Sequence, residues 1–350
     1  LTFYIFSLIS AILAMKTKEI SFTLPVVIAL YEFMFFEGNI KKRILYLIPI
    51  LLTMLIIPLS LTGIDKPIAD AIGELREAAQ ETEEIPRWSY LFTQFRVIVT
   101  YIRLLFLPIN QNLDYDYPIY HSFLNPSVFL SFLFLLSIFG LGFYLLYCSH
   151  TADHNSPARH PTRYTLHSTR LTAFGIFWFF ITLSVESSFI PIRDVIFEHR
   201  VYLSSVGAAI AFSIAVFYLL QFVVHRSRIF TSYFPLPTSY FLLLSAIVIV
   251  LSIATYQRNI SWKDGVSLWK DVVRKSPQKI RAHNNLGSAY GTKGWANKAE
   301  EHFQIVLRLN PDDAEAHNNL GNTYNDRGWT DKAIEHYQIA LRLNPNRAEV

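Results

Sequence analysis

The chain has few of the residues that build disulfide frameworks and charged surfaces. It contains one cysteine, Cys148, in 350 residues, which excludes a disulfide framework and any metal site made of cysteines. Charged residues make up only 17% of the chain, whereas about 25% is usual for soluble domains. The net charge of +4 is small and the basic residues are spread among apolar stretches. The sequence therefore predicts no nucleic-acid partner.

Apolar and aromatic residues are abundant instead. Hydrophobic residues reach 52%, and there are 28 Phe and 19 Tyr, so the composition excludes disorder and an ordinary cytosolic enzyme. A length of 350 residues predicts two or more domains. The composition changes near residue 255, because residues 1–255 hold long apolar stretches and residues 256–350 do not. We expect a membrane domain followed by a soluble one, in a chain that is a fragment of a longer protein.

The apolar stretches of residues 1–255 have the length of membrane spans. A helix needs about 20 apolar residues, with a range of roughly 17–25, to cross a bilayer. A single such stretch could equally be a buried helix of a soluble protein, but seven in one region predict a bundle of transmembrane helices. The predicted spans are 1–15, 20–36, 44–63, 127–148, 171–188, 206–224 and 238–255.

An eighth apolar segment, 89–108, contains Arg96 and Arg103. We expect it to be re-entrant, interfacial or buried among other helices, because charged residues are costly in hydrocarbon.

Lysine and arginine in short loops predict the orientation of the spans. Segment 64–88 is acidic, with seven Asp and Glu against three Lys and Arg. If the three basic loops face the cytoplasm, residues 256–350 lie on the non-cytoplasmic side. The basic loops are 37–43, 149–170 and 225–237, and the outward loops are 16–19, 64–126 and 189–205.

The soluble segment contains an internal repeat. Residues 280–313 and 314–347 align without a gap and share 20 identities. A 34-residue period that ends in proline is typical of tetratricopeptide repeats (TPRs), which are pairs of amphipathic helices stacked into a solenoid. Residues 262–279 match the second half of a degenerate preceding repeat. Such arrays need about three or more repeats for stability, so we expect further repeats after residue 350.

The two repeats predict how their helices pack and where they bind. We call the first helix of each repeat helix A and the second helix B. Gly287 and Gly321 each follow a leucine on helix A, where a small residue lets helix B approach closely. Paired asparagines recur at the same place on helix A, and an amide side chain can donate to and accept from a peptide bond. We interpret them as peptide-binding residues, although solvated polar residues on an unused face would fit the same pattern. They are Asn284, Asn285, Asn318 and Asn319.

Ionisable residues also gather at the predicted membrane edge. Five of them lie between Arg193 and Arg200, and Glu198 and His199 are among these. Ionisable groups so close to hydrocarbon are costly unless they are paired or functional. Anchoring residues and an aromatic belt are the alternative explanation, which we favour for the isolated Lys16 and Arg96.

These segments resemble the transmembrane-and-TPR protein O-mannosyltransferases, a family of GT-C glycosyltransferases. Three motifs show the resemblance. The first is Tyr101-x-x-Leu-Leu-x-x-Pro108 with the Leu-Asp-Tyr-Asp-Tyr that follows it. The others are Glu198-His-Arg-Val-Tyr-Leu-Ser-Ser205 and the lysine-glutamate loop Lys16–Glu19. Arg258-Asn259 and Trp262 resemble the family's junction between the last span and the repeats. Ser204 stands where the family usually has proline. The resemblance implies an all-α fold, with a GT-C-like bundle followed by a TPR solenoid.

The resemblance also implies an activity. The enzyme would transfer a sugar from a polyprenyl-phosphate carrier to a Ser or Thr hydroxyl, in the bacterial inner membrane. A carboxylate base would accept the hydroxyl proton, and the family places that acid upstream of Leu1. Asp114 and Asp116 are the visible acids that would orient an acceptor or a metal. The predicted donor-phosphate site consists of Arg193, Glu198, Arg200 and, more weakly, Lys18, because cations stabilise a leaving phosphate.

No cofactor follows from these residues beyond the lipid-linked sugar, which is a substrate, and a divalent metal stays open. The histidines at 150, 154, 160 and 167 are too irregularly spaced to predict a metal site. The expected partners are membrane lipid, the polyprenyl-phosphate sugar and a protein or peptide bound by the repeats. Two alternatives remain: a non-catalytic membrane scaffold that recruits proteins, and, ranked last, a transporter, which would carry ionisable residues at the middle of its spans.

Overall fold

A computed structural model describes residues 2–17, 19–57, 59, 85–155, 163–185, 187, 191–192, 194–226 and 236–345. The regular elements in these ranges are helices, which confirms the predicted all-α fold. The chain divides into two units. The first comprises Leu1–Leu107 and Pro118–Ala246, and the second comprises Pro108–Tyr117 and Ile247–Val350.

The first unit is a bundle of apolar helices. Short 3₁₀ turns, Glu19–Thr23, Thr53–Leu55 and Glu198–Val201, separate or precede some of them. Its helices are α1 (Thr2–Met15), α2 (Leu24–Phe35), α3 (Ile40–Leu52), α4 (Arg87–Phe106), α5 (Pro126–Asn155), α6 (Arg163–Leu183), α7 (Tyr202–Arg226) and the first half of α8 (Leu236–Ile260).

Among the residues that the structure describes, three helices are long and apolar enough to cross a membrane. They cover Pro126–Thr151, Glu198–Gln221 and Tyr240–Ile260, where three of the seven spans were predicted. The apolar helices Tyr4–Met15 and Ser21–Phe35 are shorter. The predicted span 44–63 lies partly outside the described residues, and the other predicted spans stay predictions.

Helices α6 and α7 pack most closely at two glycines. A Cβ atom on Gly175 would lie 2.5 Å from the backbone oxygen of Gly207, so only glycine permits this approach. At the start of α7, the hydroxyl of the fully buried Ser204 accepts a hydrogen bond of 3.0 Å from Thr182 of α6. Ser204 therefore joins these two helices.

Segment 89–108 lies in the continuous helix α4 as far as Phe106. Its buried side chains, which include Tyr90, Val97 and Tyr101, recur at helical spacing and face the bundle. Arg96 is directed toward α5, where its guanidinium donates to the hydroxyl of Ser131 at 3.2 Å. How α4 lies in a membrane stays a prediction.

As far as residue 345, where its description ends, the second unit contains the rest of α8 and five amphipathic helices. Turns with a left-handed glycine, Gly294 at φ 74° and Gly328 at φ 75°, join the helices of each pair. Asp264 caps the first of these helices and Asp313 caps the fourth. The five are α9 (Gly265–Lys275), α10 (Ile280–Thr292), α11 (Ala296–Leu309), α12 (Ala314–Asp326) and α13 (Thr330–Leu343).

The glycines predicted to permit close packing do so in both pairs. A Cβ on Gly287 of α10 would lie 2.6 Å from the ring of Phe303 on α11, and one on Gly321 of α12 would lie 2.5 Å from the ring of Tyr337 on α13. Real Cβ atoms do not come so close, so each aromatic ring fills the space that the glycine leaves. Helix α9 occupies residues predicted to be the second half of a preceding repeat.

Candidate functional site

The paired asparagines lie at equivalent places on α10 and α12. Asn284 is only 6% exposed, and its Oδ1 atom is buried without a hydrogen-bond partner in the part of the chain that the structure describes. The Oδ1 atom of Asn318, one repeat later, is in the same state. Asn285 and Asn319 beside them are partly exposed. A buried acceptor that lacks a donor is costly, and the two repeats hold such an atom at equivalent places, 34 residues apart.

Each pair of helices also contains a pair of histidines, which the sequence analysis did not single out. The Nδ1 atoms of His283 on α10 and His302 on α11 lie 2.9 Å apart, and those of His317 and His336 repeat the distance. Burial, and next the neighbouring His283, hold the pKa of His302 below its ordinary value. The signal was present in the sequence, because both histidines recur at the 34-residue period.

Within the second unit, residues 111–116 form a strap that lies against the start of the repeat array. Lys275 donates to the backbone oxygen of Gln111 at 2.6 Å, and Lys279 donates to that of Tyr115 at 3.2 Å. Ser276 receives a hydrogen bond of 2.8 Å from the side chain of Asn112 and one of 3.1 Å from the backbone of Asp116. The strap is therefore held by the linker between α9 and α10.

The structure places Asp114 and Asp116 differently, although both were predicted to orient an acceptor or a metal. Asp114 is 3% exposed, and its carboxylate meets Arg281 at 2.7 Å and Lys279 at 3.4 Å. Asp116 is exposed. The Asp114 carboxylate thus has a role in attaching the strap, and the predicted role of both acids in chemistry stays a prediction.

The predicted phosphate-binding residues are described only in part. Glu198 and Arg200 lie on the same 3₁₀ turn, directly before α7. Arg200 is 6% exposed and its guanidinium carbon lies 5.3 Å from the centre of the Phe197 ring, whereas Glu198 is half-buried. Arg193 and Lys18 lie outside the described residues.

Two hydrogen bonds from α4 fix the segment that leads to Arg200. The side chain of Gln94 donates to the backbone oxygen of Val195 at 3.0 Å. The hydroxyl of Tyr101 accepts from the backbone of Phe197 at 2.9 Å. Tyr101 of α4 thus contacts the residue directly before Glu198.

In the described ranges, no three His, Cys, Asp or Glu side chains come together in a way that could hold a metal ion. The histidine at position 160 lies outside those ranges, and so does the side chain of His154.

Comparison with known families supports the repeat assignment. Two family models described as tetratricopeptide repeat match the chain, one at residues 280–313 and one at residues 314–347. These are the predicted boundaries, so the prediction of two TPRs is confirmed. Such repeats are generally protein-interaction modules. A search of curated proteins finds no match to the chain.

Proposed function

We propose that this chain is an integral membrane protein whose repeat unit binds an extended peptide segment of a partner protein. The observation that carries the proposal is the pair of buried amide oxygens on Asn284 and Asn318. They occupy the same place in successive repeats, so one extended chain that runs along the array could donate a backbone N–H to each once the two side chains turn toward it.

The energetic argument follows from the burial of these two atoms. A buried acceptor without a donor carries a penalty of about 1–3 kcal/mol, which a peptide N–H would remove on binding. The neighbouring Asn285 and Asn319 are accessible, and their amides can add contacts to the same peptide. Backbone contacts of this kind favour extended peptides of many sequences.

The test is a binding measurement with the full chain in detergent, and the probe is a display library of ten-residue peptides. Asn284→Leu with Asn318→Leu removes both acceptors while keeping the side-chain volume. We expect an enriched peptide to bind roughly 30-fold more weakly, at about 1 kcal/mol for each lost hydrogen bond. Asn325→Leu, at an exposed position of α12, is the matched control. Equal affinity for the double variant and the control would reject the proposal.

We further propose that the apolar helices span a membrane and that the repeats lie on its non-cytoplasmic side. The support comes from the three long apolar helices and from the basic loops. Alkaline phosphatase fused after Val350 should be active in a bacterial host. Six Lys and Arg follow α8 between residues 261 and 281, and these charges favour the opposite side. A silent phosphatase with an active cytoplasmic reporter would therefore reverse the orientation.

A second candidate function is sugar transfer from a polyprenyl-phosphate carrier to a Ser or Thr hydroxyl. The observation that favours it is Arg200, a buried guanidinium at the end of an apolar helix, where the phosphate of a bilayer lipid would lie. In the reaction, the hydroxyl oxygen bonds to the sugar carbon, the sugar–phosphate bond breaks, and a carboxylate takes the hydroxyl proton. Arg200 would stabilise the charge on the departing phosphate, and Glu198, Arg193 and Lys18 stay the other predicted members of this site.

The direct test of sugar transfer is an assay with the full-length protein. A radiolabelled polyprenyl-phosphate mannose and a Ser/Thr-rich peptide serve as probes. Label that appears in the peptide supports the enzyme. If no label is transferred while the peptide still binds in an asparagine-dependent way, the chain is the alternative, a membrane-anchored scaffold.

A further inference from the structure

Asp271 on α9 is a buried carboxylate in contact with three cations. It is 8% exposed and accepts from Arg258 at 2.6 Å, Arg274 at 2.7 Å and Lys275 at 2.5 Å. Burial alone would raise the pKa of Asp271, but hydrogen bonds and attraction from Lys275 and Arg258 more than offset this and lower it. The carboxylate is therefore ionised, and one negative charge faces three positive charges.

A cavity of about 610 Å³ opens beside this cluster, within the second unit. Gln257 from α8, Ser261 just after α8 and Ser267 from α9 provide uncharged polar groups in its lining. The charged residues of the lining are Lys270, Arg274 and Asp271, and both cations are exposed, Arg274 with 75% of its side chain. The cavity thus combines hydrogen-bonding groups with a surplus of positive charge, which suits an anionic ligand.

The position of the cavity identifies the kind of anion. Helix α8 is apolar from Tyr240 to Ile260, and none of its most apolar window is buried within the protein. On the proposal that α8 spans the membrane, the hydrocarbon region ends before the polar residues Gln257, Arg258 and Asn259. Trp262, which lies just after α8 and is 52% exposed, is typical of the membrane interface. Residues 257–274 then lie at the depth of the lipid headgroups.

We propose that this cavity binds the phosphate headgroup of an anionic membrane lipid. Lys270 and Arg274 donate to the phosphate oxygens, and the polar groups of α8 and α9 complete the contacts. Asp271 orients the guanidinium of Arg274. The cluster stays positive, because Arg258 and Lys275 also bind this one carboxylate. The lipid would hold the first helix of the repeat unit against the membrane surface.

The test uses the full chain in nanodiscs that contain equal amounts of phosphatidylglycerol and phosphatidylcholine. Native mass spectrometry after release counts the lipids that remain bound. We expect Lys270→Gln with Arg274→Gln to lower the retention of phosphatidylglycerol, relative to phosphatidylcholine, by about 30-fold for two interfacial cations. The matched control is Arg308→Gln with Arg342→Gln, which removes the same charge from exposed positions of α11 and α13.

The outcomes separate this inference from the membrane proposal on which it rests. A chain that carbonate extracts from membranes would reject the spanning of α8. A chain that stays inserted, with equal retention of phosphatidylglycerol in the two double variants, would reject the headgroup site alone. Displacement of the lipid by millimolar inorganic phosphate would identify a soluble phosphate compound as the ligand and would also overturn the lipid assignment.

Discussion

His283 and His302 form a hydrogen bond between their Nδ1 atoms, 2.9 Å apart, across the two helices of the first repeat. The Nε2 atom of His283 lies 3.0 Å from the backbone oxygen of Pro277. Because a carbonyl only accepts, Nε2 of His283 carries the proton in that contact. The preceding linker, α10 and α11 are thus connected through the two imidazoles, and the second repeat has the same arrangement.

The first prediction is that acid destabilises both repeats. Burial and the partner histidine hold the pKa values of His302 and His336 below the ordinary 6.5. The unfolded chain therefore binds more protons than the folded one at acidic pH. The free energy of unfolding is at its full value above pH 6.5 and falls as the pH drops through the folded pKa values. The folding constant decreases by up to about tenfold per pH unit for each excluded proton. Hydrogen exchange of α10–α13 in the full chain, corrected for intrinsic rates, measures this loss.

Other charges near each pair provide the controls. Glu301 raises the pKa of His302. Glu335 and Glu300 raise the pKa of His336, and Lys332 lowers it. Glu301→Gln with Glu335→Gln should therefore move the transition to lower pH. The double variant His302→Asn with His336→Asn keeps an N–H donor near the Nδ1 atoms of His283 and His317. It should abolish the acid transition. An unchanged transition in the asparagine variant would show that other groups cause the acid response.

The second prediction compares the same substitution at two glycines. In Gly321→Ala the new Cβ meets the Tyr337 ring, and we expect a loss of roughly 1–3 kcal/mol from overpacking. Gly291→Ala, on α10, has no heavy atom within 4 Å of the new Cβ, so it should be neutral or stabilise the helix by up to about 1 kcal/mol. Chemical unfolding of the two variants measures the difference. Equal stabilities would contradict the packing of α12 on α13.

The sequence predicted the packing of the repeats because the chemistry that decides it is local. Gly287 and Phe303 are 16 residues apart in one 34-residue unit, and the period fixes which faces meet. The histidine pairs follow the same period, so the sequence contained them as well. Their hydrogen bonds were not predictable, since they depend on ring orientations that only packing determines.

Contacts between distant segments could not be inferred. Asp114 and Arg281 are 167 residues apart, and nothing in either segment indicates the other. The sequence marked Asp114 as an acid in an aromatic motif, which does not distinguish a catalytic carboxylate from one that attaches a strap. Ser204 shows the same limit, because its bond to Thr182 depends on how closely α6 approaches α7.

The third prediction concerns the strap. Asp114→Asn should destabilise the second unit by about 1–3 kcal/mol, because Arg281 and Lys279 lose a buried charged acceptor. Arg281→Gln should cost less, since Lys279 still faces the carboxylate. Asp116→Asn is the matched control at an exposed position and should leave stability unchanged. The melting temperatures of the full-chain variants give the comparison. A stable Asp114→Asn variant that has lost sugar transfer would instead assign this acid to chemistry.

The last prediction is that Arg200 contacts the phosphate of a lipid-linked sugar. A guanidinium can hold two phosphate oxygens at once, and lysine does not reproduce that geometry. If the contact strengthens as the phosphate leaves, Arg200→Lys should lower turnover by about 10²–10³ and change donor affinity much less. Transfer rates and donor KM of the full-length protein measure the two effects.

The alternative for Arg200 is a purely structural one, in which it stacks on Phe197 and holds the turn before α7. In that case Arg200→Lys would leave turnover nearly intact, and Arg200→Gln and Glu198→Gln would lower the melting temperature together. A catalytic loss in Arg200→Lys at an unchanged melting temperature supports the phosphate contact, because a structural role would not lower turnover while the fold keeps its stability. Wild-type turnover in Arg200→Lys would end the phosphate hypothesis, since a single lysine cannot replace a bidentate contact that strengthens in the transition state.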